Sequence, residues 1–578
     1  MDTGLFDFID HENKLQQIKK LLFKLGLGKK LEIIKTQNHS DLAGKANAMS
    51  VDFALAEVSE MRAIRGDSYY LGGYLAHRAQ PIYALEAFLR LLSERLNDRC
   101  LIKSSYLEFG QGFTMSLTVF LLNIGLTVLL PLFLIFEATK RISFVFRTEA
   151  IKRSGICVDL CHGPGLGVSG RPQNNGIYSD SFFVKNSGFF SFSNHLFLAH
   201  GWNKDQIPMW KEEINKQGGS VFGVLAGRVR MSVLQLLKLI YHNLSVWVSA
   251  SITRSRPTQG WTVRLRWIHF KYQLDFFRAQ VSFTHFKPSV YISRLDYDYR
   301  HHALGAECYR QHTHFAGIGH SPLGGVTHTP SFSIISFSTY FAYHEIFWKS
   351  FFPALQASLA DLYQVGVWRT DFIRQSEKIN ENCKLISALK KKLGSRFTVG
   401  IHLPVPQSYL FDDVAIERWL MIFEKIIKKH TDIAFVLFPR RIDNAPQTFV
   451  DKVRSLVIRG RCELANDLSP QWSQAYSFYP LLDFVVGCTY SDTVLEALAC
   501  KIPALSYADI GKGMAELERF DPSLSVYDGD AIEDAIIGAK LGHWPSTDLW
   551  TKIMNELIIT ADGGCIDRMQ HVLSKYLR

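Results

Sequence analysis

From Arg141 onward, short β-rich apolar runs alternate with segments of helical period, and that alternation constrains the fold more than any other feature of the chain. It is cleanest toward the C-terminus. Phe397–His402 reads as a strand, and Val414–Lys429 as a helix with Ile416, Leu420, Phe423 and Ile427 on one face. Ile433–Phe438, Cys462–Leu464, Leu482–Gly487 and Ala504–Tyr507 read as further strands. Between and after them, Gln447–Ile458, Pro470–Phe478, Thr493–Cys500 and Ala531–Ala539 read as helices. Upstream, Ser143–Phe146, Ser220–Leu225, Ser289–Ser293 and His314–Ile318 read as buried strands, with helical stretches such as Val233–Tyr241 between them. Parallel strands need crossover connections, so this order predicts doubly wound α/β sheets. Two such blocks in tandem predict two Rossmann-like domains facing a cleft. The charged helical stretch Ile379–Lys392 marks a boundary, giving residues 138–378 and 379–578.

The remaining length resolves into two parts. Residues 1–112 read as a helical accessory region, with Leu15, Ile18, Leu21, Leu22 and Leu25 at helical spacing and a second amphipathic run at Tyr83–Leu96. Residues 113–137 hold Thr114–Phe136, a stretch without a charge and long enough for the roughly 20 residues that a membrane helix needs. Lys140, Arg141, Arg147, Lys152 and Arg153 follow it, whereas only Arg99 and Lys103 precede it closely. The positive-inside rule then places the following domains in the cytoplasm, at the inner membrane. A simple span would leave the charged, leaderless residues 1–112 outside. A re-entrant hairpin broken at Asn123, Gly125 and Pro131 is the alternative topology, and a fully buried core helix is the reading without a membrane.

Composition removes several function classes. With 47% hydrophobic residues, enough apolar surface is available to exclude a wholly disordered chain, and a single long apolar run excludes a polytopic transporter. The net charge of +11 suits anionic partners, but the basic residues are dispersed and lack the clustering of a nucleic-acid binder. Nine scattered cysteines fit a reducing compartment rather than a disulfide framework. Cys157, Cys161 and His162 form one local group without a second pair at metal-site spacing, so they read as small core residues beside a loop.

The strongest chemical signal is Gly487–Leu498 (GCTYSDTVLEAL), a buried strand that runs through small and hydroxyl residues directly into a helix. A helix start offers free N–H groups to phosphate, and the Ser491 and Thr493 hydroxyls can add donors. Ser491 or Asp492 can equally serve as helix caps, with Glu496 either in reach of a ribose or on a solvated face. The longer stretch Ser491–Tyr507 (SDTVLEALACKIPALSY) resembles the donor-site motif of GT-B glycosyltransferases and their relatives. That resemblance implies nucleotide phosphates at the Ser491–Asp492–Thr493 helix start and ribose at Glu496, with Cys500–Pro503 standing where relatives often carry Gly–x–Pro. Many retaining members have a second Glu at the position held here by Cys488, so inverting and phosphotransferase-like relatives stay open.

A second segment extends the resemblance. Pro288–Arg294 reads as a strand. Asp296, Asp298, Arg300, His301 and His302 follow, then a helix to Arg310 and a strand reaching Gly319-His320-Ser321-Pro322. This layout resembles surface-polysaccharide and CDP-glycerol-type polymer transferases, in which a strand delivers a His-Gly pair into the cleft. His320 is the matching position and the candidate base, although Ser follows it and His301, His302, His312 and His314 lie nearby. Gly366–Asp371 (GVWRTD) resembles the G-x-x-R-x-D turn joining the two domains. Arg440 and Arg441 stand where polymer transferases carry Lys-Pro-His-Pro; they serve either diphosphate charge or a solvated loop. His402, at a strand end facing the expected cleft, is a further donor-site candidate.

The resemblance therefore implies a metal-independent, membrane-associated glycosyltransferase with a nucleotide-sugar as co-substrate, no resident cofactor and a lipid-linked or polysaccharide acceptor. A transferase of CDP-activated polyol phosphate, a nucleotide-sugar epimerase and an inactive scaffold of a polysaccharide assembly complex are the alternatives.

Overall fold

The computed structural model describes residues 70–78, 113–144, 155–160, 190–199, 207–216, 218–223, 229–252, 263–284, 286–293, 299–319, 336–342, 361–368, 370–371, 380–403, 413–439, 445–468, 475–488, 493–507, 517, 520–557 and 563–577. Apart from residues 70–78, the expected accessory region lies outside the described residues.

Two parallel sheets dominate, beside a small pair formed by β1 (Ile142–Phe144) and β5 (Val229–Met231). The first sheet contains β2 (Ile156–Leu160), β3 (His195–Ala199), β4 (Ser220–Gly223), β6 (Val290–Ser293), β7 (His314–Ile318), β8 (Thr339–Ala342) and β9 (Asp361–Gln364). Its seven strands lie in the order β4-β3-β2-β6-β7-β8-β9. The second contains β10 (Phe397–Leu403), β11 (Ile433–Pro439), β12 (Cys462–Leu464), β13 (Phe484–Cys488), β14 (Ala504–Tyr507) and β15 (Ser525–Val526). Its six strands lie in the order β12-β11-β10-β13-β14-β15. Strands such as β11 are buried at every position, the signature of a sheet covered on both faces. The expected pair of doubly wound α/β units is therefore present. β2, β3, β8 and β9 are strands that the apolar pattern alone does not single out, and the helix expected at Pro470–Phe478 is a 3-10 segment at Ala475–Leu481 within the described residues.

The expected membrane segment departs from expectation. It forms the first part of helix α1 (Phe113–Arg141), which runs unbroken through Gly125 and Pro131, so no re-entrant hairpin forms. Among the described residues, no helix is long and apolar enough to cross a membrane. The physical reason lies in the packing. Leu126, Leu130, Leu134 and Ala138 form a row at helical spacing, buried against α2 (Val233–Ile252) and α3 (Val263–Phe283) together with Ile240, Trp247, Phe270 and Phe277. Trp247 Nε1 donates to Thr127 Oγ1 at 2.8 Å. At the C-terminal end, the Glu137 carboxylate accepts from Arg278 (3.1 and 3.2 Å) and from Arg141 (3.0 Å). Burial opposes the charge on Glu137, but the two guanidiniums outweigh it and hold its carboxyl below the usual range. Protein thus occupies one side of α1 from Leu126 to Ala138.

Residues 70–78 are helical and cross α4 (Arg300–Arg310) closely. A Cβ at Gly305 would come within 2.7 Å of the Tyr70 ring, and one at Gly73 within 2.5 Å of His302 Nδ1, so both glycines serve close approach. Helix α5 (Thr493–Ala499) connects β13 to β14 within the second sheet, and α6 (Cys565–Ser574) follows that sheet near the C-terminus. Helix α6 returns to the first unit and lies against residues 365–371. One hydrophobic core, from Ile156 and Ile292 through Val436 to Met569 and Leu573, joins both sheets.

Candidate functional site

In open parallel sheets, ligands bind beyond the carboxyl ends of the strands where the strand order reverses. Both sheets have such a point. In the first, the chain steps outward from β2 to β4 and returns to lay β6 on the other side of β2. In the second, it steps outward from β10 to β12 and returns to lay β13 beside β10.

At the first reversal point, β2 contributes Asp159 and β6 contributes Tyr291 and Ser293, while the first turn of α4 supplies His301. The Tyr291 hydroxyl donates to Asp159 Oδ1. His301 Nε2 lies 3.3 Å from Asp159 Oδ2 and 3.0 Å from Ser293 Oγ. All four residues are buried, with the His301 ring against both Phe315 and Phe337 and its Nδ1 without a partner among the described residues. Burial first, then the Asp159 charge, raises the Tyr291 phenol well above its ordinary pKa, so it stays a hydrogen-bond donor. A carboxylate and a hydroxyl thus converge on His301 Nε2 and hold the orientation of its ring. Sequence reasoning passed over Asp159. Its signal is a lone acid near the end of the apolar run Ile156–Leu160.

At the second reversal point, β10 carries His402 near its end, opposite Phe438 of β11 in register. The two rings stack at 4.8 Å and 13°. His402 is buried and its Nε2 has no partner among the described residues. Burial lowers its pKa to about 3, so the ring is neutral at physiological pH. The adjacent strand β13 leads into α5, which Thr493 opens. Glu496 is completely buried rather than on a solvated face, and the Tyr479 hydroxyl donates to its Oε2 at 3.4 Å and to the Thr493 carbonyl at 3.2 Å. After α5, Lys501 takes φ +63°, the left-handed region that glycine favours, which accounts for glycine at this place in the resembling motif.

The structure thus brings His402, Thr493 and Glu496 to one edge of the second sheet. His320, Arg440, Arg441, Ser491 and Asp492 lie outside the described residues; the chain positions preceding them, Gly319, Pro439 and Cys488, end or follow strands at the same carboxyl edges. Among the described residues, no group of three or more His, Cys, Asp or Glu side chains is placed to hold a metal ion.

These features define a two-unit α/β protein with a strand-order reversal in each parallel sheet. Similar solved structures include UDP-GlcNAc 2-epimerase from Neisseria meningitidis bound to UDP-GlcNAc (10% identity, 73% of this chain and 100% of that chain, TM-score 0.43). The wall teichoic acid polymerase TagF is also similar (8% identity, 73% and 88% covered, TM-score 0.37). A third is trehalose-6-phosphate from E. coli bound with UDP-2-fluoro glucose (12% identity, 74% and 99% covered, TM-score 0.37). No family model and no curated protein matches the sequence.

Proposed function

We propose that this protein is a GT-B glycosyltransferase that moves a sugar from a nucleotide-sugar donor to a hydroxyl of a surface-polysaccharide or glycolipid acceptor, at the cytoplasmic face of the inner membrane. The observation that carries the reading is the coincidence of the donor-like motif with a strand-order reversal: Thr493 and Glu496 lie on the helix that follows β13, the strand paired with β10, which carries the neutral, buried His402 near its carboxyl end.

In this reading the donor phosphates lie at Ser491, Asp492 and Thr493, the ribose at Glu496, and Arg440 and Arg441 offset diphosphate charge. His402, kept neutral, adds hydrogen-bonding capacity without adding a charge. His320 takes the proton of the acceptor hydroxyl as its oxygen bonds the anomeric carbon; the bond from that carbon to the diphosphate oxygen breaks, and the nucleoside diphosphate leaves. His301, held by Asp159 and Ser293, orients groups at the facing crevice of the first sheet.

Calorimetric titration with UDP, CDP and GDP tests this. One of them binds at micromolar affinity, and Thr493→Ala weakens it about tenfold, the loss of one phosphate hydrogen bond. Absence of binding by all three nucleotides overturns the proposal. Release of free sugar against transfer to an added lipid acceptor then separates hydrolysis from transfer.

A further inference from the structure

Helices α1 and α2 lie side by side over α3, and both are apolar on the outward side as well as the inward one. Opposite its buried row, α1 exposes Val128 (63%), Leu132 (59%) and Phe136 (53%), and α2 exposes Val233 (59%), Leu234 (62%) and Leu237 (56%). A helix facing water carries polar residues there. Soluble proteins rarely leave contiguous apolar patches larger than a few hundred Å² uncovered.

Among the described residues of the two outer faces, the charges carry a single sign. Neither Phe113–Phe136 nor Val233–Ile252 contains an acidic residue. Glu137, the one acid of α1, is turned inward and held by Arg278 and Arg141. What the two outer faces do present is Lys140 and Lys238, both exposed. The Lys140 ammonium sits 3.8 Å over the Phe136 ring, its stem laid along the apolar surface and its head at the rim. A second copy of this chain placed face to face would set lysine against lysine. An anionic lipid surface complements both the apolar area and the charge.

We propose that the joined outer faces of α1 and α2 form a docking surface for an anionic membrane, on which the protein lies without crossing it. The proposal rests on the membrane placement given above and deepens it by naming the second helix, the mode of attachment and the lipid charge. Protein fills one side of α1, so lipid meets only the other; burial of apolar side chains to headgroup depth supplies the affinity and the lysines supply the lipid preference.

The test is co-sedimentation of the full chain with vesicles of phosphatidylcholine alone, and with about one lipid in four replaced by phosphatidylglycerol. The protein binds the mixed vesicles at least about tenfold more tightly than the neutral ones, and added salt narrows the gap. Leu132→Glu with Leu237→Glu lowers binding to both vesicles at least about tenfold. Lys140→Glu with Lys238→Glu lowers binding to the mixed vesicles alone. The milder pair Leu132→Ser and Leu237→Ser shows an intermediate loss, guarding against a folding defect. Wild-type binding by the Leu132/Leu237 variants overturns the docking face while leaving membrane attachment by another segment. Failure of the wild type to bind either vesicle overturns the membrane placement as well. A dimer in light scattering that the Leu132→Glu/Leu237→Glu pair dissociates assigns the face to a second copy instead. Nucleotide binding measured on the same samples reports separately on the transferase reading.

Discussion

Three desolvated histidines, the buried His195 and His402 and the half-buried His314, make the protein acid-sensitive. Burial lowers the pKa of His195 to about 4, of His314 to about 4 and of His402 to about 3. In the unfolded chain each protonates near its ordinary value of ~6.5. Below that value the unfolded state binds more protons than the native state, so stability is full above pH 6.5 and is lost as pH falls toward 4. Each histidine accounts for about 1 kcal/mol of loss between pH 7 and pH 5.5. Urea denaturation at the two pH values should show the decrease, and His402→Gln should remove its share. A pH-independent midpoint would mean that these rings are charged or solvated in the native state. Lys501 supplies a second test at this scale. A side chain in the left-handed region costs about 1 kcal/mol, so Lys501→Gly should stabilise the fold by a comparable amount, read from the same denaturation curves.

Elements differ in how much of them sequence can reveal. β11 and β13 are legible because buried parallel strands demand near-continuous apolar runs, and Ile433 and Phe484 open such runs. The Asp159 site is not, because two strands and a helix far apart in the chain build it, and only the strand order brings Asp159 to Ser293 and His301. Helix α1 shows the same limit: a run that is apolar on every face has no periodicity to say which face the protein covers. Packing supplies that answer. Leu130 is fully buried, whereas Leu132, two residues on, is 59% exposed. Leu130→Ala should therefore cost about 2–5 kcal/mol by opening a cavity, and Leu132→Ala less than about 0.5 kcal/mol. Equal costs in thermal or chemical unfolding would mean that α1 packs with a different face inward.

At the scale of the whole molecule, the stretch resembling an interdomain turn holds the end of the chain in place. The Asp371 carboxylate accepts from the backbone N–H of Ile566 at 2.8 Å, capping the first turn of α6 from a distant part of the sequence. The Arg568 guanidinium donates to the Val365 carbonyl from Nε at 3.1 Å and Nη2 at 2.8 Å, and the Tyr576 ring stacks on His314 of β7 at 3.4 Å. Because α6 follows the second sheet in sequence but rests on the first unit, these contacts tie the end of the chain to that unit. Asp371→Ala leaves an orphaned helix start and should cost about 1–2 kcal/mol in urea denaturation. Arg568→Ala should cost about as much, since it strands a carbonyl. Both substitutions loosen the same helix, so the double variant should lose less than the sum of the two. Strictly additive losses would mean that α6 stays docked through Met569 and Leu573 alone, and that its polar contacts act independently of one another.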